Sequence, residues 1–170
     1  MWYVYRNSVH YLSYILMENC LFCDIIDEKK FGAKIYEDEY VVAILDKFPN
    51  TEWMTLVLTK EHHDSYVFDM HGEQYMTYMS STKKVAKLLQ DAMSVERVAL
   101  VMEWMGVNHA HMKLYPLHGL NAKFAPTMLW EREFFPEYKW YISTVLWYEK
   151  SEEELEILAK RIRNSDKGNA

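Results

Sequence analysis

An antiparallel sheet with one long helix packed on it is the fold class this sequence predicts, and three observations carry the prediction. Short runs rich in Val, Ile, Leu and Tyr lie between turn residues over 34–59. One stretch, 71–93, repeats its apolar residues at helical spacing. A β-rich run at 97–104 is separated from the next strand-like run, which begins at His109, by only a few residues, and so brief a link predicts a hairpin.

Residues 34–37 and 40–46 read as two strands around the turn-prone Asp38-Glu39, and 53–59 as a third after Pro49-Asn50. In the helix, Met76, Met79, Val85, Ala86, Leu88 and Leu89 share one stripe, with Lys83, Lys84 and Lys87 on the other side. Its Met and Tyr residues read as core filling rather than a cofactor site. After Pro116 the chain becomes irregular, and Pro126 and Pro136 bracket an aromatic stretch containing Trp130, Phe134 and Phe135. Residues 139–147 have the composition of another strand. Ser151 and Glu154 then form a capping box that opens a final helix, whose Lys160, Arg161 and Arg163 suit the helix dipole.

At 170 residues, half of them hydrophobic, the chain is long enough for one domain with terminal additions. The net charge of -6 argues against general nucleic-acid binding, which needs concentrated Lys and Arg. No apolar run approaches the roughly 20 residues of a membrane span. The first 16 residues are broken by Arg6, Asn7, Ser8 and His10 and lack the small-residue cleavage site of a secretion signal. A cytoplasmic protein is expected. Residues 1–16 are set apart as an extension with three readings: an added strand, a disordered arm, or a segment upstream of a start at Met17.

In His109-Ala110-His111-Met112-Lys113-Leu114, strand alternation sends His109, His111 and Lys113 to one face and Ala110, Met112 and Leu114 to the core. Two imidazoles and an ammonium side by side are costly unless water, a metal or an anion receives them. A solvated amphipathic strand would alternate in the same way, so the rest of the chain must decide. Cys20 and Cys23 are its only cysteines. Such a CxxC pair is a redox dithiol, half of a zinc site, or chance. A redox pair is expected beside a parallel strand–helix–strand unit, which the following residues do not suggest; zinc needs two more ligands.

Several segments, in order, resemble the histidine triad (HIT) superfamily of nucleotide hydrolases and transferases. Cys20-Leu21-Phe22-Cys23-Asp24-Ile25-Ile26 resembles the family's opening CxFCxII segment, and residues 33–38 and 42–46 its first hairpin. Leu56-Val57-Leu58-Thr59-Lys60-Glu61-His62 is similar to the strand that ends in a basic residue and a histidine, and 109–116 stands where the family carries HxHxH. The resemblance covers about 19–116. It implies an α+β fold with about five antiparallel strands and a long helix, commonly as a homodimer, within a domain at 17–120 followed by an extension at 121–170. It also implies structural zinc on Cys20, Cys23, His62 and His109, with His63 the adjacent competitor. His10, His71 and His118 are assigned no role.

By the same resemblance, His111 is the nucleophile that attacks an α-phosphorus to form a nucleotidyl-histidine. Asp46 would accept hydrogen bonds from ribose hydroxyls, and Leu21, Phe22, Ile25 and Ile44 would line the base. The chain departs from the pattern twice. Lys113 holds the third triad position, where a compact cation can aid electrostatically but is a poor proton donor at neutral pH. The link before the triad strand is short, so Asn108 stands in for the family's longer phosphate-contacting segment, while Glu103 would repel phosphate unless it meets a cation or turns away. The expected activity is cleavage of a phosphoanhydride or phosphoramidate in a nucleotide, such as a dinucleoside polyphosphate. The alternative is a noncatalytic, zinc-stabilised nucleotide-binding or interaction module.

Overall fold

The computed structural model describes residues 20–103, 106–120, 132–134, 136–137, 148–149, 151–155 and 157. The chain divides into two units between Phe124 and Ala125. In the first, the elements run α1 (Leu21–Ile26), β1 (Lys34–Glu37), β2 (Val41–Leu45), β3 (Thr55–Thr59), a 3-10 turn (Val67–Asp69), α2 (Gly72–Met93), β4 (Val98–Met102) and β5 (His111–Pro116). The five strands form one antiparallel sheet in the order β1-β2-β3-β5-β4. This is the predicted α+β architecture.

Each face of the sheet has its own core. Val41, Ala43, Val57, Met112 and Leu114 meet Tyr78, Val85 and Leu89 of α2. On the opposite face, Val42, Ile44, Leu56 and Leu58 pack with Phe22 and Ile25 of α1. Burying one such aliphatic side chain is worth about 1.5–3 kcal/mol, so both layers hold the sheet. Tyr78 brings a hydroxyl into the first layer, and it donates to the Val57 carbonyl at 2.6 Å.

Most expected elements form within a residue or two of their predicted ends. The third strand starts at Thr55 rather than 53, because Trp53 has φ of 62°, which no strand accommodates. The histidine strand begins its ladder at His111 rather than 109, since Ala110 donates instead to the His63 carbonyl. The six-residue α1 lacked a sequence signal of its own; it is too short for helical periodicity to register. In the second unit the capping box forms as read, with Ser151 N donating to Glu154 Oε2 and Glu154 N to Ser151 Oγ. The strand expected at 139–147 lies outside the described residues, as does the segment 1–16. Among the described residues, no helix is long and apolar enough to cross a membrane.

Asp38, in the β1–β2 turn, ties the sheet to α2. Its carboxylate accepts from Tyr40 N and Val41 N, each at 2.9 Å, and from Tyr36 Oη at 3.0 Å and Ser81 Oγ at 2.8 Å. Burial works to raise its pKa, but these bonds outweigh it and hold the carboxyl at about 2. A depressed carboxyl contributes stability above its ordinary value of 3.8 and loses it as pH falls through about 2. Asp38→Ala is therefore expected to cost about 2 kcal/mol at pH 7 and much less near pH 2. Urea unfolding at the two pH values measures this, and an equal loss at both would refute it.

Candidate active site and metal centre

The site is built on the sheet face covered by α1. Cys20 is the N-cap of α1 and Cys23 lies in its first turn, so spacing of three puts both thiols on one side of the helix. His62 follows the end of β3 and His109 precedes β5; the antiparallel pairing of those strands brings these remote positions together. Cys20 Sγ lies 3.4 Å and Cys23 Sγ 3.5 Å from His109 Nδ1, and Cys23 Sγ is 3.3 Å from His62 Nδ1. All four donor atoms fall within 4.8 Å of one another, a cluster that can hold a metal ion.

The surroundings orient these ligands. His109 is fully buried and its Nε2–H donates to the Thr59 carbonyl at 2.8 Å, so Nδ1 turns its lone pair toward the thiols. Burial pushes the Cys23 thiol up to about 12, helped by Cys20 beside it, and pushes His109 down to about 4. Both shifts favour the neutral forms of the Cys23 thiol and the His109 ring. A divalent ion reverses the thiol shift by favouring thiolate. His63, the expected competitor, is not in the cluster: its Nε2 is 3.6 Å from Glu61 Oε2.

His111 sits two residues beyond His109 on the same face and is only 4% exposed. Its Nδ1–H donates to the His109 carbonyl at 2.7 Å, which leaves the lone pair on Nε2. The Phe22 ring packs edgewise on it at 5.2 Å. Burial lowers the pKa of His111, against the opposing pull of the His109 carbonyl. A neutral imidazole with a fixed tautomer results.

Lys113, next along the face, is ion-paired with Glu103 at 2.5 Å, and both side chains are largely buried. The cation that Glu103 needed is thus the third triad position itself. Asp46 follows Ile44 by two residues on the site face, and its Oδ1 accepts from Phe48 N at 2.7 Å. Ile25 and Ile44 belong to the apolar layer with Phe22, whereas Leu21 is exposed. Asn108 ties two loops together: its Oδ1 accepts from Ser65 N and Oγ, and its Nδ2 donates to Asp64. Thr59 escaped sequence reading because it acts through a backbone carbonyl, which any residue could supply.

Gly32 lets the chain pass against the apolar wall. A Cβ there would stand 2.4 Å from Ile25 Cγ2 and 3.3 Å from Ile44 Cγ2. Both contacts are with branched side chains fixed close to the backbone. Gly32→Ala is expected to destabilise the fold by about 1–3 kcal/mol, as overpacking does. An unchanged urea midpoint would show that the wall yields freely.

Comparison with known proteins agrees with this geometry. The family model described as HIT domain matches residues 28–119. The crystal structure of a Streptococcus mutans protein superposes with a TM-score of 0.64 at 27% identity, covering 88% of this chain and 86% of that one. A HIT family hydrolase from Clostridium thermocellum gives 0.55 at 25% identity, over 64% of this chain and 99% of its own. A zinc-bound histidine triad family protein from Mycobacterium smegmatis gives 0.53 at 26% identity, over 64% and 82%. The sheet order, the buried pair of histidines and a match across more than half the sequence have one common explanation: this chain belongs to the HIT domain family.

Proposed function

We propose that the protein is a nucleotide hydrolase or nucleotidyl transferase that breaks a phosphoanhydride or phosphoramidate bond through a nucleotidyl-His111 intermediate. The tautomer of His111 carries this reading, since a proton fixed on Nδ1 leaves Nε2 nucleophilic. With its pKa lowered by burial, the ring is neutral at pH 7. Nε2 attacks the α-phosphorus, the bond to the leaving group breaks, and that group departs with the electron pair. Water or another acceptor then attacks the same phosphorus and returns His111 to its free state. Lys113 serves as a fixed cation, Asp46 receives the ribose hydroxyls, and Leu21, Phe22, Ile25 and Ile44 face the base. Asn108 acts indirectly, by holding the loop that follows His62.

Zinc suits Cys20, Cys23, His62 and His109. In a zinc tetrahedron sulfur and nitrogen ligands lie about 3.6 Å apart, close to the spacings of 3.3–3.5 Å seen here. A closed set of four protein ligands is the structural kind, and bound zinc would supply folding energy. The catalytic domain is assigned to 17–120, with 121–170 as an accessory extension, in a cytoplasmic protein. A homodimer is supported by the edge strand β4, which runs beside an apolar groove lined by Met76, Met79, Ala86, Val98 and Leu100.

Incubation with a panel of dinucleoside polyphosphates and nucleoside phosphoramidates should give turnover. Mass spectrometry after an alkaline quench should find a nucleotidyl group on His111. The Lys113–Glu103 pair favours a second reading, a noncatalytic nucleotide binder, because it leaves the third position without an evident proton donor. Nucleotide binding without adduct or turnover would establish that alternative.

A further inference from the structure

The Lys113 ammonium does not face the site as an uncompensated charge. Met102 pairs with Met112 across β4 and β5, and continuing that register by one residue sets Glu103 opposite His111. From there its carboxylate reaches diagonally to Lys113. The alternation of β5 puts Lys113 on the same face as His111, so the ammonium and the carboxylate paired with it stand beside the imidazole on that face. Asp46 adds a second carboxylate on that face. Among the described residues on that face, one ammonium stands with two carboxylates, at a site read as one for an anionic ligand.

Resting on the reading of His111 as a nucleotide site, we propose that Glu103 is a specificity-determining residue: by neutralising Lys113 it sets the site against phosphate chains of high negative charge. A ligand with one or two negative charges meets a balanced cation, whereas each further phosphate adds repulsion from a carboxylate that sits largely out of solvent. For unit charges separated by about 6 Å at a partly buried site, one carboxylate changes affinity by tenfold or more per ligand charge. The preferred substrates then carry a leaving group that is neutral or weakly charged, rather than a long polyphosphate.

Calorimetric titration of the full chain with AMP, ADP, ATP and the guanosine equivalents tests this without any turnover. In Glu103→Gln the ratio of triphosphate to monophosphate affinity should rise at least tenfold over wild type, and raising the salt concentration should shrink that gain. Glu103→Asp, which keeps the charge, should keep the wild-type ratio and so separates charge from packing. In Lys113→Met, monophosphate affinity should fall, because the only cation of the three is gone. A ratio that stays within twofold across wild type, Glu103→Gln and Glu103→Asp overturns the proposal, as does failure of wild type and Glu103→Gln to bind any of the six. Failure of the His111 mechanism reads out separately, as nucleotide binding with the predicted charge dependence and no covalent adduct.

Discussion

His111→Asn is expected to lower turnover on the order of 10³-fold or more, the scale of loss when a nucleophile is removed from a group that acts as a unit. The variant should fold, because an Asn amide can still donate to the His109 carbonyl that holds Nδ1–H at 2.7 Å. Its midpoint should therefore shift modestly, mainly through loss of the edgewise packing of Phe22 on the imidazole. The decisive measurement pairs rate with adduct. Wild type gives a nucleotidyl-His111 peptide and the variant gives none, with nucleotide binding retained. A variant that keeps a tenth of wild-type turnover would sink the covalent mechanism.

Stripping the metal is expected to have the largest effect on stability. An ion held by Cys20, Cys23, His62 and His109 would tie α1 to the ends of β3 and β5, adding a cross-link between segments remote in sequence to the apolar packing that already joins them. A ligand present at a thousand times its Kd stabilises the fold by about 4 kcal/mol, and a chain of this size shifts by about 2–4 °C per kcal/mol. Chelation should thus lower the Tm by about 8–16 °C, with zinc restoring it. Elemental analysis should find one zinc per chain. Cys23→Ser should behave like the stripped protein and His63→Ala like wild type, since His63 lies outside the cluster. Equal losses from His63→Ala and His62→Ala would refute this ligand assignment. Acid should release the ion, because protons compete for thiolates and imidazoles.

Both expectations depend on features that differ in how far the sequence reveals them. The alternation from His109 to Lys113 is a local property of extended chain, and the structure keeps it: all three side chains share the face opposite Met112 and Leu114. The spacing of Cys20 and Cys23 is also local, and it works because a single helical turn aligns them. The helix at 72–93 was legible from its stripe, which is long enough for periodicity to stand out. By contrast, α1 was invisible as a helix, since six residues complete fewer than two turns.

Chain order alone sets which groups stand near one another locally: two histidines on one strand face, two thiols one turn apart, and a lysine in the third triad position. The tertiary structure alone decided their partners. It selects His62 over His63, gives His109 the Thr59 carbonyl, and joins Lys113 to Glu103 across a hairpin. The difference is one of range. Side-chain direction follows from backbone dihedrals within a few residues, whereas partners 39, 50 or 86 residues apart meet only when strand order and register have been set.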